Sequence, residues 1–247
     1  MVTNRRLPAA LKRGWLLCRR DFELMEAQTT RARNSQGSRR DEVLNAARGL
    51  FFEKGYRGTT IQQIASRAGY SKRTVYLDYV SKDELFVTIC VEGAELLLEK
   101  LTEIPRDEFS VEDCIEQIID AYVAFSRNQS EYFHMIFSES TPEIIANCSE
   151  ELRGRVADLE RACLGVVVAW AERAMREGLI ARLDPWAIAG ILIGSATGIV
   201  LLSMGGRQTV FTRETLESLV HKAVQTLWKG LRVSDGFAGA DLQRQEA

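Results

Sequence analysis

Residues 71–74 read Ser-Lys-Arg-Thr, two adjacent cations flanked by hydroxyls, and they reopen a helix that Ala68-Gly69-Tyr70 has just stopped. Such side chains in the first turn of a short helix suit a polyanion. Arg73 can pair in a bidentate way with guanine, Lys72 can donate to guanine or phosphate, and the Ser71 and Thr74 hydroxyls can serve either. Tyr76 and Tyr79 follow, with hydroxyls suited to phosphate oxygens. Other chemistries find little footing. The only histidines are His134 and His221, and the five cysteines (Cys18, Cys90, Cys114, Cys148, Cys163) are widely spaced with no C-x-x-C pair, so no metal site is expected. Without a Gly-rich phosphate loop, paired metal ligands or a Ser/His/Asp motif, neither catalysis nor a cofactor is expected.

The elements that must hold these residues are helical. Apolar spacings of three and four dominate, strand-like alternation is hard to find, and only four prolines occur in 247 residues. An all-α protein of about nine helices is expected. Val43, Leu44, Ala47, Leu50 and Phe51 share one face of a first helix over about Arg39–Lys54, with Gly55 as its left-handed stop. Thr60 and Gln63 form a capping box opening a second helix, whose Ile61, Ile64, Ala65 and Ala68 face a core. Gly69 ends it, Ser71 caps the third helix and Val75 points inward. Ser81 and Glu84 form another box, opening a fourth helix from Lys82 toward Leu101. Further helices are expected near 110–127, 130–138, 142–147, 149–177, 184–204 and 212–230, with breaks at Pro105, Gly178, Asp184-Pro185 and Gly205-Gly206. A helix, a Gly-containing turn and a short second helix make a helix-turn-helix, whose second member enters the major groove. The plainer alternative is a helical hairpin with a solvated basic turn.

Charge divides the chain in the same place. Residues 1–90 carry 17 Lys/Arg against 9 Asp/Glu (+8), and residues 91–247 carry 15 against 25 (−10). One end suits a polyanion and the other does not. Residues 1–37 read as a basic, unstructured extension: an arm on phosphates, a solvated tail, or translated sequence upstream of a start at Met25. Residues 38–86 are expected to form the DNA-binding domain, 87–232 a helical domain and 233–247 a frayed tail. No long apolar leader segment forms, and a cytoplasmic protein is expected.

Residues 40–87, and in particular Ala47, Leu50-Phe51, Gly55-Tyr56, Thr59-Thr60, Ile64-Ala65, Ala68-Gly69, Ser71, Tyr76, Tyr79, Ser81-Lys82 and Leu85, closely resemble the DNA-binding domain of TetR-family transcriptional regulators. The resemblance implies a homodimer, most often a repressor on a palindromic operator, with a three-helix reader and a helical effector domain. It implies that Thr60 and Lys82 contact phosphates beside Tyr76 and Tyr79, while Lys72, Arg73 and Thr74 face the major groove. Asp78 stands where the family often has His. An acid there would repel phosphate, so it must point away or pair with a cation.

Residues 187–206 hold no charge over twenty positions, and Gly190, Gly194 and Gly198 repeat G-x-x-x-G. That length could span a bilayer, but a helix buried on all sides needs the same apolarity; the buried helix is expected, with no membrane. The resemblance implies that the last two long helices pack on their symmetry mates as a four-helix bundle, through Ile188, Leu192, Ser195, Ile199, Leu216, Leu219, Val220, Ala223 and Leu227. Between reader and bundle an apolar small-molecule cavity is expected, with Tyr122, Phe125, Tyr132, Phe133, His134, Phe137 and Trp170 as candidate wall residues and His134 as polar anchor; ordinary core is the alternative. A dimeric helical adaptor and an enzyme are the rival functions.

Overall fold

The computed structural model describes residues 37–105, 108–204 and 215–232. The tail 233–247, the Gly205-Gly206 break, the first residues of the last expected helix and all but the last residue of the basic extension lie outside the described residues.

Among the described residues ten α-helices follow one another: α1 (37–58), α2 (Ile61–Ala68), α3 (Lys72–Asp78), α4 (Lys82–Thr102), α5 (Val111–Asn128), α6 (Ser130–His134), α7 (Pro142–Ala146), α8 (Glu150–Arg176), α9 (Pro185–Met204) and α10 (Leu216–Leu231). A π-helical turn, Met135–Glu139, continues α6. The one non-helical pairing among the described residues is an isolated antiparallel bridge between Ile180 and Arg232.

Hydroxyl side chains start most of these helices. Ser71, Ser81, Ser110, Thr141, Ser149 and Thr215 each accept a first-turn N–H, and Thr60 with Gln63 completes a reciprocal box. Each such cap stabilises by about 1 kcal/mol. Gly69 takes a φ of 76°, the left-handed conformation that turns the chain between α2 and α3 without a Cβ penalty. Gly55 also has a positive φ, 69°, but it does not end α1 as expected, since the helix runs on to residue 58.

Two buried clusters form. Val43, Ala47, Leu50 and Phe51 of α1 meet Ile64 and Ala65 of α2, Val75 of α3 and Leu85, Phe86 and Ile89 of α4. Met135, Cys148 and Leu152 seat this first cluster on the π turn and the start of α8. The second gathers Ile118, Ile119 and Tyr122 of α5, Phe133, Val167 and Trp170, and the inner faces of α9 and α10. Helix α4 serves both, and it approaches α6 closely: a Cβ on Gly93 would lie 2.6 Å from Tyr132 Cδ1.

Helix α9 departs from expectation. Ile188, Ala189, Leu192, Ala196 and Val200 are buried, but Trp186, Ile191, Leu202 and Met204 are exposed, and only 28% of its most apolar stretch is buried. It is covered on one face rather than all round. Its length and composition would also pass for a membrane span, with a mean hydropathy of 2.1; one such helix is weak evidence, because core helices pass the same test.

Candidate nucleic-acid interface

Seven residues cannot hold a helix by themselves, so α3 depends on its cap and its packing. Ser71 Oγ accepts the Thr74 N–H at 3.1 Å and lies 2.9 Å from Thr74 Oγ1. Val75 is fully buried, worth about 1.5–3 kcal/mol. Beyond the helix, Tyr79 is 1% exposed, with the Arg40 guanidinium 4.8 Å from its ring centre. At the far end Asp78 accepts both forks of Arg39, at 2.7 Å each, and is itself buried. The acid therefore pairs with a cation from α1 and is withdrawn from any phosphate. A planar guanidinium fork fixes orientation as well as charge, so the pair ties α3 to the start of α1.

The outward face of α3 is then defined. Ser71, Lys72, Arg73, Tyr76 and Leu77 are exposed, and Lys72 and Arg73 form no hydrogen bond or ion pair with any described residue. Thr60 is exposed at the start of α2, its hydroxyl already engaged with Gln63. Two expected phosphate ligands sit elsewhere. Tyr79 is core, because its ring fills the space under α1. Lys82 turns inward: its ammonium donates to the carbonyls of Tyr56 (3.0 Å) and Thr59 (3.1 Å) and lies 3.8 Å from the Tyr56 ring centre. Burial lowers its pKa. Lys82 thus stitches α4 to the α1–α2 junction. Sequence reasoning could not separate these roles, since tyrosine and lysine both carry an apolar body that packs and a polar tip that reaches water.

A second site lies behind the reader. A cavity of about 340 Å³ opens between α4, α5, α8 and the π turn, lined among others by Val91, Leu97, Tyr122, Phe137, Cys163 and Ile193. Among the described residues lining it, the one that is charged is Glu160, exposed at the edge. Tyr122 donates or accepts a short hydrogen bond with Thr197 beside it. Burial pushes the Cys163 thiol up to about 11, so it is protonated and inert at neutral pH. Of the residues expected on this wall, Tyr122 and Phe137 are there. Phe125 lines a separate hollow between α4 and α5. Phe133 is fully buried between Tyr122 and Phe137. Trp170 donates to the Val111 carbonyl at 2.7 Å and packs on Trp228. Tyr132 packs against Phe52 and Gly93. His134 lies on an outer hollow beside Phe52, 3.7 Å from Glu139, and cannot anchor a molecule in the cavity.

The π turn connects the two sites. It carries Ile136 and Phe137 into the cavity wall, and at its end Glu139 accepts the Tyr56 N–H at 2.7 Å. The carboxylate sits close against Gly55: a Cβ there would lie 2.6 Å from Glu139 Oε1, so any larger residue would require the glutamate end to shift. Single π turns are uncommon and frequent at functional sites. No sequence signal announced this one.

The residues expected on the bundle face differ in exposure within the protomer. Ile188, Leu192 and Val220 are buried within the protomer, while Ser195, Ile199, Leu216, Leu219, Ala223 and Leu227 keep part of their surface open. The open side of α9 runs instead through Trp186, Gly190, Ile191, Gly194 and Leu202, and a Cβ on either glycine would meet nothing.

Comparison with known proteins gives a consistent set of relatives. Residues 43–89 match the family model "Bacterial regulatory proteins, tetR family". The HTH-type transcriptional activator FasR of Mycolicibacterium smegmatis is 26% identical over 111 residues, 44% of this chain and 51% of that protein. The match thus spans about half of that relative's length. The fatty acid metabolism regulator protein of Bacillus subtilis is 21% identical over 183 residues, covering 72% and 92% of the two chains. Among solved structures, FadR from Bacillus subtilis in complex with stearoyl-CoA superposes with a TM-score of 0.60 at 17% identity, over 77% of this chain and 98% of that one. At such identity the likeness is one of fold.

Proposed function

We propose that this chain, whose residues 43–89 belong to the tetR family of bacterial regulatory proteins, is a homodimeric, ligand-responsive transcriptional repressor that binds a palindromic operator. The observation that carries this reading is the exposed Lys72-Arg73 pair on a short helix whose opposite face is locked by Val75, Tyr79 and the Arg39–Asp78 fork. Such a helix presents base-reading donors on a rigid support. Lys72, Arg73 and Thr74 face the groove, with Ser71, Thr60 and Tyr76 toward the backbone. The reader works in the cytoplasm, where its DNA lies, and performs no catalysis.

The effector is a small molecule with an apolar body, in keeping with the largely apolar cavity lining. The stearoyl-CoA held by the related fold is one molecule of that kind. A second copy covers the open face of α9, since soluble proteins rarely expose a continuous apolar stripe of this extent. Two readers are then held at a fixed separation. Regulation is a population shift: an effector that favours the reader orientation misfitting successive grooves lowers operator affinity by its differential affinity for that state. Helix α4 and the Glu139 tie join cavity to reader.

A gel-shift titration on the DNA upstream of the chain's own gene, at two salt concentrations with competitor, tests the reading. Competitor-resistant binding that weakens with salt is the expected result. Binding that random competitor abolishes, on this DNA and on duplexes selected from a random pool, would favour an adaptor instead.

A further inference from the structure

The outward face of α3 carries a residue that the charge-based reading leaves without a task. Leu77 is 69% exposed, beside Tyr76 at 50%, and follows Arg73 by four residues on the same side of the helix. The inward positions of this segment, Val75 and Tyr79, are buried, so no rotation of α3 hides Leu77 without exposing them. Asp78 cannot take its place at the DNA, being held by Arg39.

Leucine has no donor or acceptor, so it can contact neither phosphate nor the oxygen and nitrogen atoms of base edges. The apolar group on the floor of the major groove is the thymine 5-methyl. Four helical residues advance about 6 Å, so an Arg73 at one base edge leaves Leu77 about two base pairs away. The adjacent cations Lys72 and Arg73 commit this face to a polyanion rather than to an apolar protein partner.

We propose that Leu77 is a specificity-determining residue that reads a thymine methyl group in each operator half-site. The inference rests on the DNA-binding reading above and adds to it the identity of a base.

Removing only the methyl group tests it. The full chain is first used to select duplexes from a random pool. Thymines of the selected operator are then replaced by deoxyuridine, one symmetric pair at a time, and affinity is measured by fluorescence anisotropy for the unaltered chain and for Leu77→Ala. The melting temperature of the variant, expected unchanged for an exposed side chain, is recorded alongside. One thymine pair is expected to matter, its deoxyuridine form binding about fourfold more weakly per half-site, the worth of one buried methyl. Leu77→Ala should bind the two operators to within about twofold of each other. A wild-type chain indifferent to every deoxyuridine, or a variant that keeps the penalty, overturns the proposal while the DNA reading stands. If no sequence is enriched, the DNA reading itself fails, and this inference with it.

Discussion

Thr59 is buried at the point where α1 gives way to α2, and its hydroxyl donates to the Gly55 carbonyl at 2.9 Å, with the Leu50 carbonyl at 3.2 Å. Thr59→Val keeps the shape and removes the donor, leaving these carbonyls without it. Urea unfolding should show a loss of about 1–2 kcal/mol. The same residue sets the entry to Thr60 and α2, so the reader depends on a group that touches no DNA. Neighbouring residues mark the limit of sequence reasoning. The Thr-x-x-Gln box was legible because caps are local; of the expected Ser81–Glu84 box only the serine half forms, since the Glu84 carboxylate accepts the Val80 N–H at 2.8 Å instead of that of Ser81. The burial of Tyr79 and the inward turn of Lys82 were not, because they depend on α1 and on the Tyr56 carbonyl, far away in sequence.

At the scale of elements, the π turn as well as α4 joins the cavity wall to the reader. Glu139 accepts the Tyr56 N–H from the effector side, and Tyr56 in turn bonds Asp83 at the start of α4 through its hydroxyl. Glu139→Ala should lower stability by about 1 kcal/mol, a partly exposed charged hydrogen bond. It should also blunt the fall in operator affinity that a cavity ligand produces. Unfolding midpoints together with anisotropy titrations at increasing stearoyl-CoA read both effects. A stability loss with an undiminished ligand response would restrict Glu139 to a structural tie. Helix lengths were legible from periodicity and punctuation, but the π turn was not, since an extra residue in one turn leaves no compositional trace. Nor was the orientation of α9, whose near-uniform apolarity gives no preferred face; Ile188 and Leu192 turn out to lie on its buried side and Gly190 and Gly194 on its open side.

For the whole molecule, two buried clusters share α4, and the open stripe of α9 is the face that the proposed second copy covers. Ile191, 56% exposed at the middle of that stripe, is the residue to change. Ile191→Glu should leave the protomer folded, because the residue is more than half exposed, and should place two like charges in the proposed bundle. Sedimentation is expected to show a monomer, and operator affinity should fall by about a hundredfold or more as the second reader is lost. The class of fold and the position of the reader were legible because both rest on local patterns. The cavity wall was not, because Phe133 and Trp170 look the same in sequence whether they line a space or fill it.

The claim on which all of this stands is that α3 reads DNA through Arg73. The direct measurement is the operator affinity of the unaltered chain, Arg73→Ala and Lys72→Ala across a salt series. Loss of about 1–3 kcal/mol for Arg73→Ala on the operator, with little change on random duplex, is the predicted result. For Lys72→Ala a shallower salt slope is expected if its contact is to phosphate. An Arg73→Ala chain that binds the operator as tightly as the original, with the same salt dependence, would contradict the assignment of α3 as the reader.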